Sequence, residues 1–170
     1  MLRELFVLAP IAVVGGGCTS LLDFSDDKIP VDAADAMVDA FYTQAECAYG
    51  EPNDAADAAF VVTTADMGPA AICPGDVADF YKFTVPDGTT TVTVAANFTN
   101  SVTGDLDLKL YDATGTTVLG ASLGFGDGES ITCPGQSPMC SALTTGDYVF
   151  EVYPATPGNV NVYTLALTIQ

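Results

Sequence analysis

The chain contains no histidine and only four basic side chains, Arg3, Lys28, Lys82 and Lys109. Without histidine it lacks the commonest general base, the usual activator of a nucleophilic serine or cysteine, and the commonest transition-metal ligand. Four scattered bases do not make a phosphate cradle, and against 22 acidic residues they leave a net charge of −18. A field of that sign repels nucleic acid and anionic lipid head groups, and it gathers divalent cations and basic partners. Nucleic-acid binding is disfavoured, and no nucleophile-and-base pair is present to support an enzyme. Nor is any long hydrophobic run in view. The apolar stretch at residues 5–14 is about half the ~20 residues that a bilayer-spanning helix requires.

That short run has the length of a secretory signal core, and it follows a brief polar start at Arg3. It ends in Gly15, Gly16 and Gly17, followed at once by Cys18. Small residues before a cysteine at this place resemble the lipobox of bacterial lipoproteins. The resemblance implies cleavage before Cys18, acylation of that cysteine and retention at the cell envelope, on the outer membrane or cell surface. An ordinary cleaved leader with an incidental cysteine is the alternative. The cysteine count fits an exported chain. Assigning Cys18 of the five cysteines to lipid leaves Cys47, Cys73, Cys133 and Cys140, an even set that allows three disulfide pairings. Cys133 and Cys140 bracket the loop PGQSPM, which a local bridge would close, and this leaves Cys47 with Cys73. Zinc is the competing use of these thiols, but neither a CxxC spacing nor a histidine supports it.

Residues 1–17 thus read as leader and 18–50 as an acylated tether. Within the tether, Val31, Ala34, Met37, Val38 and Phe41 recur near helical spacing, with Asp32 and Asp35 at the favourable amino end of a short helix. From residue 51 the period changes to two. Tyr81, Phe83 and Val85 alternate with Phe80, Lys82 and Thr84; Val92, Val94, Ala96 and Phe98 share a face; Leu106, Leu108 and Leu110 stand opposite Asp107 and Lys109. Tyr148, Phe150 and Val152 form a fourth such set, and Tyr163, Leu165, Leu167 and Ile169 a fifth. Each is a strand with one buried face. The joints carry turn chemistry in PDG at 86–88, DATG at 112–115 and GDG at 126–128. The expected fold of residues 51–170 is an all-β, jelly-roll-like antiparallel sandwich, which pattern alone does not separate from a closed barrel.

Five stretches in this order, EPND, GDVADFYKFTVPDG, GDLDLKLYDATG, GDYVFEVY and VYTLALTI, resemble the bacterial pre-peptidase C-terminal domain. The family is similar to the collagen-binding domains of clostridial collagenases, and the resemblance implies a jelly-roll sandwich without catalytic activity. Here only a tether precedes the module, which points to a stand-alone envelope protein that binds protein or polysaccharide. A detached accessory of a secreted hydrolase and a purely structural envelope protein are the other readings. Glu51, Asn53 and Asp54 offer three oxygen-bearing side chains within one short stretch stiffened by Pro52, and Asp76 and Asp79 can face one point from a turn. Calcium takes six to eight such hard ligands. The resemblance makes Glu51, Asn53, Asp54, Asp76 and Asp79 the candidate calcium ligands. Glu46, Asp57 and a carbonyl near Tyr163 stand outside that set. Asp54 has an alternative role as the cap of a short turn. No EF-hand spacing is present. Asp105 and Asp107 read as a solvated strand face, too closely placed to straddle a glycosidic bond. Tyr42, Tyr49, Tyr111 and Tyr153 are candidate exposed rings for stacking on a sugar or peptide.

Overall fold

The computed structural model describes residues 42–64, 67–101, 104–136 and 139–170. The leader, Cys18 and most of the helix expected over residues 31–45 lie outside them. Within the described part, helix α1 (Gln44–Cys47) is a single turn. Thr43 caps it by accepting from the Glu46 backbone, while the Glu46 carboxylate accepts from the Thr43 backbone at 2.6 Å, a reciprocal capping box.

Two sheets face each other. One takes β1 (Phe60–Val61), β3 (Asp79–Val85), β10 (Gly146–Pro154), β5 (Leu106–Tyr111) and β6 (Val118–Ser122) in that spatial order. The other takes β2 (Pro69–Ile72), β11 (Asn161–Ile169), β4 (Val92–Asn97) and β7 (Glu129–Cys133). A small hairpin of β8 (Gly135–Gln136) and β9 (Met139–Cys140) stands apart. All pairings are antiparallel except that of β1 with β3. With β1 and the hairpin set aside, 3-10-5-6 over 2-11-4-7 is the strand order of a jelly roll. The edge strands β6 and β7 are not hydrogen-bonded neighbours, so the molecule is a sandwich and not a closed barrel.

The period-two residues build the core. Tyr81, Phe83 and Val85 of β3, Leu106, Leu108 and Leu110 of β5, and Phe150 and Val152 of β10 turn inward, to meet Val92, Val94, Ala96, Tyr163, Leu165 and Leu167 from the opposite sheet. Val149 departs from strict alternation: it lies between Lys82 and Tyr111 in register on the other face of β10, yet is buried.

Both disulfides favoured from the sequence are formed, Cys47–Cys73 and Cys133–Cys140, with Cα atoms 5.8 and 5.0 Å apart. The first fastens α1 to the end of β2, beside Tyr42, which is buried with Ala71 and Cys73. The second clips the β8–β9 hairpin to β7. Closing the 26-residue separation between Cys47 and Cys73 removes conformational freedom from the unfolded chain. The Cys47→Ser/Cys73→Ser double variant is expected to lose about 2 kcal/mol in urea unfolding. A loss indistinguishable from zero would mean that this bridge carries no stability.

Candidate metal centre

The site forms where the chain enters the sandwich. Two local structures bring it together. The turn after β2 is closed by the Asp76 amide donating to the Cys73 carbonyl at 3.0 Å, while the Cys73 amide donates to Asp76 Oδ2 at 2.8 Å. The entrance segment is held to β3 by the Phe80 amide, which donates to the Asn53 carbonyl at 2.8 Å. These contacts set Glu51 beside the turn and beside Asp79, the first residue of β3. One carboxylate oxygen from each of Glu51, Asp76 and Asp79 lies within 4.8 Å of the others.

Asn53 is fully buried and works on Glu51. Its backbone amide donates to Glu51 Oε2 at 3.0 Å. Its side-chain nitrogen, assigned from the donors and acceptors around it, donates to both Glu51 oxygens at 3.2 Å. Asn53 therefore orients a candidate ligand, and in this arrangement its amide is turned to that task. Asp54 is exposed and is not one of the three converging carboxylates. It does not cap the following 3-10 turn (Ala56–Ala58) either, since the N-cap there is Ala55. Glu46 is engaged in the helix cap, and Asp57 is exposed on the 3-10 turn. From β11 it is the Tyr163 side chain that reaches the site.

Asp79 is the unusual member. It is 1% exposed. Its Oδ2 accepts from the Tyr163 hydroxyl, which in turn shares a 2.6 Å hydrogen bond with the Tyr81 hydroxyl. Its Oδ1 has no hydrogen-bond partner. Burial, partly offset by the Tyr163 bond and reinforced by Glu51, Asp76 and Asp54, pushes the Asp79 carboxyl up to about 7. Burial also raises Glu51, against the Asn53 amide, with Asp54 and Asp76 adding to the rise. The Tyr163 and Tyr81 hydroxyls are driven upward chiefly by burial, so both stay protonated, and Tyr163 serves as a fixed donor to Asp79.

Three carboxylates converging with one buried, unpartnered oxygen make a site that favours a cation. The donors are hard oxygens, and the two nearest cysteines are bound to each other, so the set suits calcium better than zinc. Glu51, Asp76 and Asp79 would hold such an ion through their carboxylates, with Asn53 and Tyr163 fixing two of them in place.

The sequence pattern of the bacterial pre-peptidase C-terminal domain family matches residues 77–154. The chain carries a pre-peptidase C-terminal domain. The match runs from just before β3 to the end of β10, so this domain's sandwich is completed by segments on either side of it, β1, β2 and β11. Of the converging carboxylates, Asp79 lies inside the match, whereas Glu51 and Asp76 precede it. Among solved structures, the pre-peptidase C-terminal domain of a collagenase from Bacillus anthracis aligns with a TM-score of 0.48 at 15% identity, covering 64% of this chain and 90% of that one. A periplasmic inhibitor of g-type lysozyme from Aeromonas hydrophila aligns with a TM-score of 0.37 at 17% identity, covering 65% of this chain and 94% of that one. No curated protein matches the chain.

The other candidates from the sequence are placed as follows in this domain. Tyr42 is buried, and Tyr49 packs edge-on against Phe60 while accepting from the Gly68 amide at 3.2 Å. Neither is an exposed ring. Tyr111 and Tyr153 are half-buried on the outer face of the five-stranded sheet, where Tyr111 donates to Glu151 at 2.5 Å and Lys109 lies 3.8 Å above the Tyr153 ring. Asp107 is half-buried on the same face, but Asp105 corrects the sequence reading. It is 9% exposed, because it stands just before β5, where the chain turns into the sandwich end, and the Ala155 amide donates to its carbonyl at 3.0 Å.

Proposed function

We infer that the chain is a non-catalytic binding module of the bacterial cell envelope, held by lipid on Cys18 and stiffened by calcium at its entrance. It would bind protein or polysaccharide outside the membrane. The observation that carries the calcium reading is the convergence of Glu51, Asp76 and Asp79, the last of which also carries a buried oxygen with no partner. Without metal, the mutual repulsion of these groups opposes closure of the entrance segment on β3. With calcium the same charges become the attraction that holds the segment shut. The lipobox-like sequence at 15–18 and the even set of bridged cysteines support export and anchoring. The match of residues 77–154 to the pre-peptidase C-terminal domain supports an accessory, non-catalytic role.

The test is a thermal melt of the chelated protein with millimolar calcium added, against equal magnesium. A charge of −18 gathers either ion loosely, so only the difference between the two reports a built site. Calcium is expected to raise the midpoint by about 5 °C beyond magnesium, and Glu51→Gln combined with Asp76→Asn is expected to remove that excess. Equal shifts from both ions would sink the calcium site. Retention of acyl mass on the peptide that begins at Cys18 tests the anchor, and an unmodified Cys18 in a full-length chain would count against it.

A further inference from the structure

The outer face of the four-stranded sheet differs from the rest of this acidic surface. In register across β11, β4 and β7 it reads Thr168, Thr93, Thr132 and then Ala166, Ala95, Ser130. None of the outward positions of this sheet is charged, in a chain of net charge −18. The five-stranded sheet, by contrast, turns Lys82, Asp107, Lys109, Asp147 and Glu151 outward. The Thr93 and Thr132 hydroxyls pair with each other at 3.0 Å, so both already have a polar partner within the face. At one end of the face Ala71 stands opposite Val162, and there the described chain begins. Tyr42 is buried with Ala71 and Cys73, and Val160 and Val162 pack beside it. Val162 also lines a shallow hollow of about 460 Å³ with Asn97, Phe98 and Thr164. The patch that Tyr42 covers thus continues into one where, among the described residues, Thr164, Ala166 and Thr168 are exposed.

Immediately before Tyr42 comes the amphipathic stretch 31–41, which lies outside the described residues. At helical spacing Val31, Ala34, Met37, Val38 and Phe41 form one stripe, and Asp32, Asp35 and Asp39 fall on the other side. A helix over this stretch is about 16 Å long, and the face runs about 20 Å from Val162 to Thr168. Short side chains on the sheet allow close approach, and an uncharged face gives the apolar stripe no ionised group to desolvate while the aspartates stay in water. A second copy fits poorly. A stable partner covers about 800 Å² on each side, several times a face of roughly 20 by 10 Å, and two chains of this charge repel. We propose that residues 31–41 dock as a helix along this face, with Phe41 beside the Tyr42 cluster and Val31 toward Thr168. On the anchor reading above, docking carries the tether to the end of the sandwich opposite the acidic site. The entrance then faces away from the membrane, whereas an undocked tether would leave beside it.

The experiment is hydrogen–deuterium exchange of the full chain, prepared without lipid and read peptide by peptide. Amides of residues 36–41 are expected to exchange at least about tenfold more slowly than in an unstructured peptide. Val38→Asp, placed in the stripe and outside the sandwich, is expected to abolish that protection while β3 and β10 exchange as before. Ala95→Arg and Thr168→Arg are expected to abolish it from the sheet side, and unchanged exchange of β3 and β10 identifies the variants that fold. Wild-type exchange at the rate of an unstructured peptide would overturn the proposal. Protection that survives both arginine substitutions would also overturn it, by placing the stretch elsewhere. Protection that grows with protein concentration would do so by making a second copy the occupant. Because the readout needs no lipid, an unmodified Cys18 removes the anchor and leaves the docking standing.

Discussion

In the presence of chelator, the wild-type protein is expected to lose about 4 kcal/mol of stability between pH 4 and pH 8, and Asp79→Asn is expected to lose far less. The Asp79 carboxyl titrates near 3.8 in the unfolded chain and is pushed up to about 7 in the fold. A raised carboxyl binds its proton more tightly when folded. Its contribution is therefore fully present below pH 4 and drains away as the pH climbs through 7, where an ionised Asp79 would sit 1% exposed with Oδ1 unpartnered. Asp112 and Asp147 are held below the ordinary value, mainly by hydrogen bonds from Thr114 and from Lys82, so their contributions fade only in acid and do not compete in this window. Urea midpoints across the pH range, with and without the substitution, read the difference directly. An unchanged slope in Asp79→Asn would assign the pH dependence to the general acidity of the chain. Calcium is expected to reverse the trend, because metal and proton compete for the same oxygens and metal prevails at high pH.

Phe150→Ala is expected to cost about 4 kcal/mol in equilibrium unfolding. Phe150 lies on β10, hydrogen-bonded on one side to β3 and on the other to β5. Its ring stacks on Tyr81 at 5.1 Å between centroids and meets Phe83 at 6.0 Å. Removing it opens a cavity in the core and withdraws the surface against which Tyr81 is set. Tyr81 is bonded to Tyr163, and Tyr163 to Asp79, so the calcium-dependent rise in melting temperature should shrink in the same variant. A loss below about 1 kcal/mol would show that the core closes over the gap without cost.

The strands that were legible in the sequence are those whose inward residues are large and whose outward residues are polar. β5 meets that condition throughout, β3 apart from Phe80, β4 apart from Ala95 and Ala96, β11 apart from Val162 and Ala166, and β10 apart from Val149. β6 was not legible because its one buried residue is Gly120, with Ile131 against the place where a Cβ would stand. β7 was hidden by its own chemistry. Its inward set is Glu129, Ile131 and Cys133, and a glutamate does not register as a core residue until Ser122 and the Gly124 amide are seen bonded to it. β2 fills its inner positions with alanine and isoleucine in a run too short to show a period. At the entrance, acidity and spacing pointed to Glu51, Asp76 and Asp79 together with Asn53 and Asp54. Composition does not reveal which side chains turn outward, nor that Tyr163, from the last strand, would bond to Asp79. The burial of Asp105 was missed because alternation placed that aspartate in solvent. Its burial comes from the loop after β10, which is remote in sequence.

The Cys47–Cys73 bridge has a mechanical consequence. Tension applied to the chain ahead of Cys47 passes through the sulfur atoms to Cys73, at the end of β2, without travelling along residues 48–72. That stretch, which carries Glu51, Asn53 and β1, lies slack within a covalent loop while the strands beyond it bear the load. Of the three converging carboxylates, Glu51 is thereby insulated from such a force, while Asp76 and Asp79 lie on the loaded side of the bridge.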